Sequence, residues 1–362
     1  MQLLNATKMQ AGYTLGLDPD GRERLVVVVK GTFVIPETGG EVRLAEQQAP
    51  LVMADEFTGE PGLSAMRYES DFAPFKPRCD VIVNGSAYAP GGRPARRVPV
   101  SLRVGAMVKS FDVVGDRVWR RLGKTRPEPF TVMPIHYGRA YGGVDSTPDR
   151  PERQAWYTAN PVGVGHYPLS RGANLRGKRL PNTQERRRPV RSKSHRYRPM
   201  SFGPVGRNFA ARIRFAGTYD QDWQEKVFPF LPADFDPHYY QCAPEDQQIP
   251  YPRGGEVVEL LNLSPNGRLS FRLPTIEVPV EFTDHHYQQA STRAVLDTVA
   301  IDGDAGRVLT SWRISHPLKR NLLEMREVVV GKMSAGWYRA RKIGKIYHRS
   351  VSTIPRHKKL RS

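Results

Sequence analysis

The sequence predicts an all-β fold, mainly of antiparallel β-sandwich type, with long irregular loops and few short helices. Three observations predict it. Short apolar or alternating runs recur between turn signals, as strands do in a sandwich. Proline (31) and glycine (32) are abundant while hydrophobic residues reach only 39% of the 362, which disfavours a helical bundle. The run Leu25–Ile35, LVVVVKGTFVI, is β-branched and uninterrupted, so it reads as a buried strand. It is far too short to span a bilayer.

The elements follow in order. Asp18-Pro19-Asp20-Gly21 reads as a hairpin turn ahead of that run, and Thr38-Gly39-Gly40 turns the chain toward a strand over 41–45. Strand character resumes over 80–88, DVIVNGSAY, and turns at Pro90-Gly91-Gly92. Two or three short strands follow before Arg120. Among them Val100, Leu102 and Val104 alternate with polar residues, the period of a half-buried strand. Regular pattern fades from Pro127 to Pro199. It returns over 256–263, 268–273 and 275–282, then as a hairpin of 294–301 with 307–314. Residues 321–330 read as a short helix turning into a strand. The chain divides into an N-terminal β region (1–130), an irregular, basic and aromatic-rich connecting region (131–253), a C-terminal β region (254–331) and a basic tail (332–362). One shared core and two separate cores are both compatible with this pattern.

The formal charge of +19 sits in two segments. Residues 171–214 carry 14 Lys and Arg against Glu185 alone, and residues 332–362 carry 10 with no acid, leaving a net −4 elsewhere. Such blocks are either solvated or dock on an acidic protein or a nucleic acid. Arg186, Arg187, Arg188, Arg191, Lys193, Arg196 and Arg198 are the candidate partner-binding residues, because arginine's planar fork grips carboxylates bidentately. Tyr197 and Phe202 beside them are candidate stacking partners for a nucleic acid.

The stretch 201–248 interleaves aromatics with charges and prolines. Proline excludes a long helix or central strand there, so side-chain packing and ion pairs must hold it. The expectation is that Trp223, Phe228, Phe230 and Phe235 are buried and that Arg212 pairs with a nearby acid, Asp220 or Asp222. Asp220 and Asp222 also carry the alternative of paired hydrolytic acids. Asp234, Asp236 and His238 alternate as metal ligands could, but Pro232 and Pro237 break the geometry, and His285-His286 lacks ligand spacing. No nucleophile elbow is present, and Gly163-Val164-Gly165 is only a fragment of a dinucleotide fingerprint. No catalytic residue, metal or cofactor is assigned. Cys79 and Cys242 predict free thiols in a reducing cytosol, and the N-terminus lacks the pattern of a secretory signal, so a cytoplasmic location off the membrane is expected.

Taken in order, the motifs resemble a bacterial family, the domain of unknown function 2169, associated with type VI secretion. The resemblance runs from about Asn5 to Pro317. It includes LVVVVKGTFVI, FKPRCDVIVNGSAYAPGG, PEPFTVMPIHYGRAYGG, FGPVGRNFAARIRFAGTYDQDW, FPFLPADFDPHYYQCAPEDQQ and AVLDTVAIDGDAGRVLTSWR. It implies a cytoplasmic adaptor or chaperone, not an enzyme, that holds a toxic effector and delivers it to the spike protein of the secretion needle. Ser64–Tyr68, SAMRY, stands where the family typically has paired serines, and the arginine-rich RLPNTQERRR and the tail also depart from the pattern. Three readings therefore stand: an effector-loading adaptor, a nucleic-acid-binding protein using the basic segments, and a β-sandwich hydrolase.

Overall fold

The computed structural model describes residues 1–18, 20–37, 39–345 and 347; the basic tail beyond these lies outside the described residues. The principal N-terminal strands are β1 (Gln2–Asn5), β2 (Gln10–Leu17), β3 (Glu23–Val34), β4 (Cys79–Tyr88), β5 (Arg97–Val104) and β6 (Met107–Val114). Those that follow the connecting region are β7 (Val257–Leu261), β8 (Arg268–Arg272), β9 (Val278–Asp284), β10 (Gln289–Asp302), β11 (Arg307–Pro317) and β12 (Met325–Val330). Helices are short: α1 (Ala210–Ile213), α2 (Gln221–Lys226) and α3 (Ala335–Lys342). The fold is thus mostly β with few short helices, as the alternation and turn spacing predict.

The larger sheet runs β1-β12-β9-β10-β11-β3-β2, with β4 added in parallel beside β10. Because β1 leads into β2 through the short turn at 6–9, the sheet curls so that its two terminal strands approach each other at that turn, without pairing. The smaller sheet pairs Thr183–Gln184 with β6, then β5, β7 and β8. Each sheet combines strands from both sequence ends. Arg24–Val34 of β3 pairs with β11, and β5 pairs with β7. The two β regions therefore share one core.

That core lies between the sheets. Val98, Val100, Leu102 and Val104 of β5 face Leu25, Val27, Val29 and Phe33 of β3 within one cluster of buried apolar side chains. Each full burial stabilises by about 1.5–3 kcal/mol. The opposite face of β3 is buried too. Val26, Val28, Lys30 and Thr32 lie under the segment 45–77, and this double cover explains the lack of alternation in LVVVV.

The outer face of the larger sheet is covered by charge. Lys30 Nζ sits 2.8 Å from Asp71, whose carboxylate also accepts from Val52 N and Ser311 Oγ. Arg313 pairs with Asp297 and donates to the carbonyls of Asp71 and Ala73. Asp80, fully buried on β4, accepts from Lys76 Nζ at 2.7 Å, Gln241 Nε2 at 2.6 Å and the N–H groups of Cys242 and Ala243. Burial alone would raise the Asp80 carboxyl, but the Lys76 ammonium and these donors outweigh it and hold the carboxyl below its ordinary range. Cys79 and Cys242 are free and buried, and burial pushes both thiols up.

Lys76→Met would leave Asp80 buried without its cation, and breaking a buried pair this way costs about 3–5 kcal/mol. A clear fall in the urea midpoint is expected. Since the folded Asp80 carboxyl lies below the ordinary 3.8, its contribution is present above that value and is lost as pH falls through the folded one. Acid unfolding of the wild type should therefore steepen below about pH 4, and Asp80→Asn should blunt that slope.

Candidate docking surface

The connecting region is pinned to the sheet by one carboxylate in particular. Glu69 Oε1 receives Arg212 Nη2 at 2.6 Å and Arg207 Nη2 at 3.0 Å, while Glu69 Oε2 lies 3.8 Å from Lys76 Nζ. Arg212 is 2% exposed and also donates to the carbonyls of Val205 and Tyr239. Its partner is thus Glu69 rather than Asp220 or Asp222. Arg212 lies in α1, inside the region, and points inward, whereas the two aspartates sit on an outward projection.

That projection spans residues 214–236. Thr218 donates its N–H and hydroxyl to Asp234, closing the base. Asp220 caps α2 by accepting from Trp223 N, and Asp222 pairs with Lys226 one turn on. Trp223 Nε1 donates to the Phe230 carbonyl, and the Trp223 ring meets Tyr219 and Phe228 edge-on, with centroids 4.7 and 5.7 Å away. Of the four aromatics expected to be buried, Phe235 is, Trp223 is half-buried, and Phe228 and Phe230 are exposed at 65% and 43%. A helix of six residues cannot enclose a core, so these rings pack on one another and remain open to solvent. Tyr219 and Ile213 are exposed as well. Phe230 leans on the β2–β3 turn, where a Cβ on Gly21 would lie 2.8 Å from its ring.

The arginine-rich run is ordered against the smaller sheet. Val190, Tyr197 and Met200 are buried, and the Tyr197 hydroxyl accepts from the N–H groups of Arg191 and Ser192. Arg186 reaches Asp112, which it shares with Arg97. Arg198 pairs with Asp246 at 2.7 Å, Lys193 donates to the Ser170 carbonyl, and Arg188 lies over the Tyr197 ring. These acids, invisible to local spacing, relieve the repulsion within the run. Arg187, Arg188, Arg191 and Arg196 are exposed and have no ion-pair partner among the described residues. Lys109 is buried beside Asp246; burial pushes its ammonium down to about 8, against the opposing pull of Asp246. Tyr197 and Phe202 are 4% and 0% exposed, so the proposed nucleic-acid stacking partners are closed off inside the fold.

The two features meet at Glu245-Asp246. Asp246 takes Arg198 at the end of the run, and Glu245 takes Arg214 at the base of the projection. Sequence reasoning found both features but missed their junction, because the pairing residues are 31 to 48 positions apart. The acids of the stretch serve local roles: Asp234 holds Thr218, and Asp236 accepts from His238 Nδ1 at 2.7 Å. Among the described residues no three His, Cys, Asp or Glu side chains gather as metal ligands would.

Phe235→Ala should cost about 3–5 kcal/mol, as truncating a buried aromatic does. Phe228→Ser should cost no more than about 1.5 kcal/mol, the worth of its one edge-on contact with Trp223. Paired thermal melts read this contrast directly, and a large loss from Phe228→Ser would mean that the ring is covered.

No curated protein and no solved structure matches the chain. No helix among the described residues is long and apolar enough to cross a membrane. Residues 20–313 match the sequence pattern of a bacterial family described as "Uncharacterized protein conserved in bacteria (DUF2169)", and the chain belongs to that family.

Proposed function

We propose that this protein is a cytoplasmic adaptor of type VI secretion. It binds a toxic effector and presents it to the spike protein of the needle, without catalysing a reaction. The observation that carries this reading is the junction at Glu245-Asp246. An exposed aromatic projection and an exposed arginine-rich face are joined there on one ordered region. Anchors of this composition dominate binding energies, with aromatic and arginine hot spots each worth about 2 kcal/mol or more. Exposed ion pairs contribute only about 0.2–1 kcal/mol each. The arginines therefore steer an acidic surface into place, and the rings hold it. The family motifs quoted above favour the same role.

The test is capture from the native bacterium with the full chain as bait, with and without nuclease. A toxin-like protein and the spike protein should be retained after nuclease; loss of every partner on nuclease treatment would contradict the adaptor and favour nucleic-acid binding. With the captured effector in hand, Phe228→Ser should weaken binding about thirtyfold, one anchor's worth of about 2 kcal/mol at 1.4 kcal/mol per decade. Replacing Arg186, Arg187 and Arg188 by Ser should weaken it less, mostly at low salt.

A further inference from the structure

β2 is a terminal strand of the larger sheet, with one edge paired to β3 and the other free. Asp18 N donates to Arg22 O, and Gly21 N donates to Asp18 O, with Gly21 at φ 77°. This three-residue loop makes Asp18 and Arg22 a hydrogen-bonded pair. Bonded pairs alternate along an antiparallel ladder, so with Leu17 opposite Glu23 and Gln10 opposite Lys30, residues 10, 12, 14 and 16 bond to β3. The N–H and C=O groups of Ala11, Tyr13, Leu15 and Leu17 point the other way. Among the described residues no other strand or loop pairs with them. Soluble proteins blunt such edges with charges, prolines or bulges. The stretch 10–17, QAGYTLGL, has none of these, and Tyr13 and Leu15 are 40% and 44% exposed.

We propose that this edge pairs with β2 of a second copy of the chain, antiparallel about a two-fold axis at Thr14. The strand is self-complementary in that register. Tyr13 stands opposite the partner's Leu15, and Ala11 opposite the partner's Leu17. Each pair consists of residues whose backbone groups face outward, so each exchanges both hydrogen bonds. Cross-strand aromatic–aliphatic contact adds to this. The same register brings Lys8 beside the partner's Asp20, with opposite charges, and no charged residue falls within residues 10–17. A single strand edge buries less than the roughly 1,200–2,000 Å² of a standard interface, so the dimer is concentration-dependent. This inference is independent of the adaptor role.

Sedimentation velocity on the full chain tests it. A reversible monomer–dimer equilibrium is expected between about 1 and about 200 μM, as mass action requires. Leu15→Pro removes an outward N–H without touching a bond to β3, and should give monomer with an unchanged circular dichroism spectrum. The register is tested by two double variants. Tyr13→Lys with Leu15→Lys sets like charges opposite each other and should abolish the dimer, whereas Tyr13→Lys with Leu15→Glu sets opposite charges there and should keep it. A wild type that stays monomeric throughout, or double variants that behave alike, would overturn the proposal.

Discussion

The buried charge layer between the larger sheet and its cover is the constraint on which the rest depends. Asp80 and Glu69 are both removed from water, and donors from distant parts of the chain reach both oxygens of Asp80 and the Oε1 of Glu69. A buried carboxylate without such partners would be costly, so the sheet cannot form its outer face in isolation. The segments that supply Lys76, Arg207, Arg212 and Gln241 must all be in place for that face to be stable. This explains how the irregular region 131–253, with little secondary structure of its own, holds a definite shape. Its backbone is fixed by the carboxylates beneath it rather than by ladders.

A replacement of the layer by apolar side chains would be no less stable in principle. What charge supplies is specificity of placement. Glu69 takes two arginines, Arg207 and Arg212, flanking the start of α1, and the carbonyl of Tyr239 takes Arg212 from the other side of the projection. The base of the projection is therefore fixed within the fold, while its tip carries Phe228 and Phe230 into solvent. A rigid base under exposed rings lowers the entropy lost on binding.

The strands were legible because their signals are local. Alternation in VSLRVG and the β-branched run at Leu25 need no knowledge of partners, and the turn residues at Pro265-Asn266-Gly267 mark a real hairpin. The start of β10 at Gln289 was not legible, since QASTR has no apolar face; it extends as an exposed arm paired to β9. Ser334 precedes α3 and caps it, its hydroxyl accepting from Trp337 N, a local signal hidden by the basic character of the tail. In the candidate surface, composition marked the aromatics and arginines but not their direction. Phe202 and Phe228 look alike in sequence, yet one is sealed against Phe111 and the other is open. What decides between them is the position of the chain relative to the sheet, set by Glu69 and Asp80, which no spacing reveals.

The adaptor account places the partner on one continuous surface, from the arginine run across Glu245-Asp246 to the aromatic projection. Hydrogen exchange of the protein alone and with its captured effector tests that claim most directly. The account predicts new protection over residues 186–198 and 218–230, with the β5 and β7 amides unchanged. Protection confined to other strands or loops, with both of these segments exchanging as in the free protein, would contradict it.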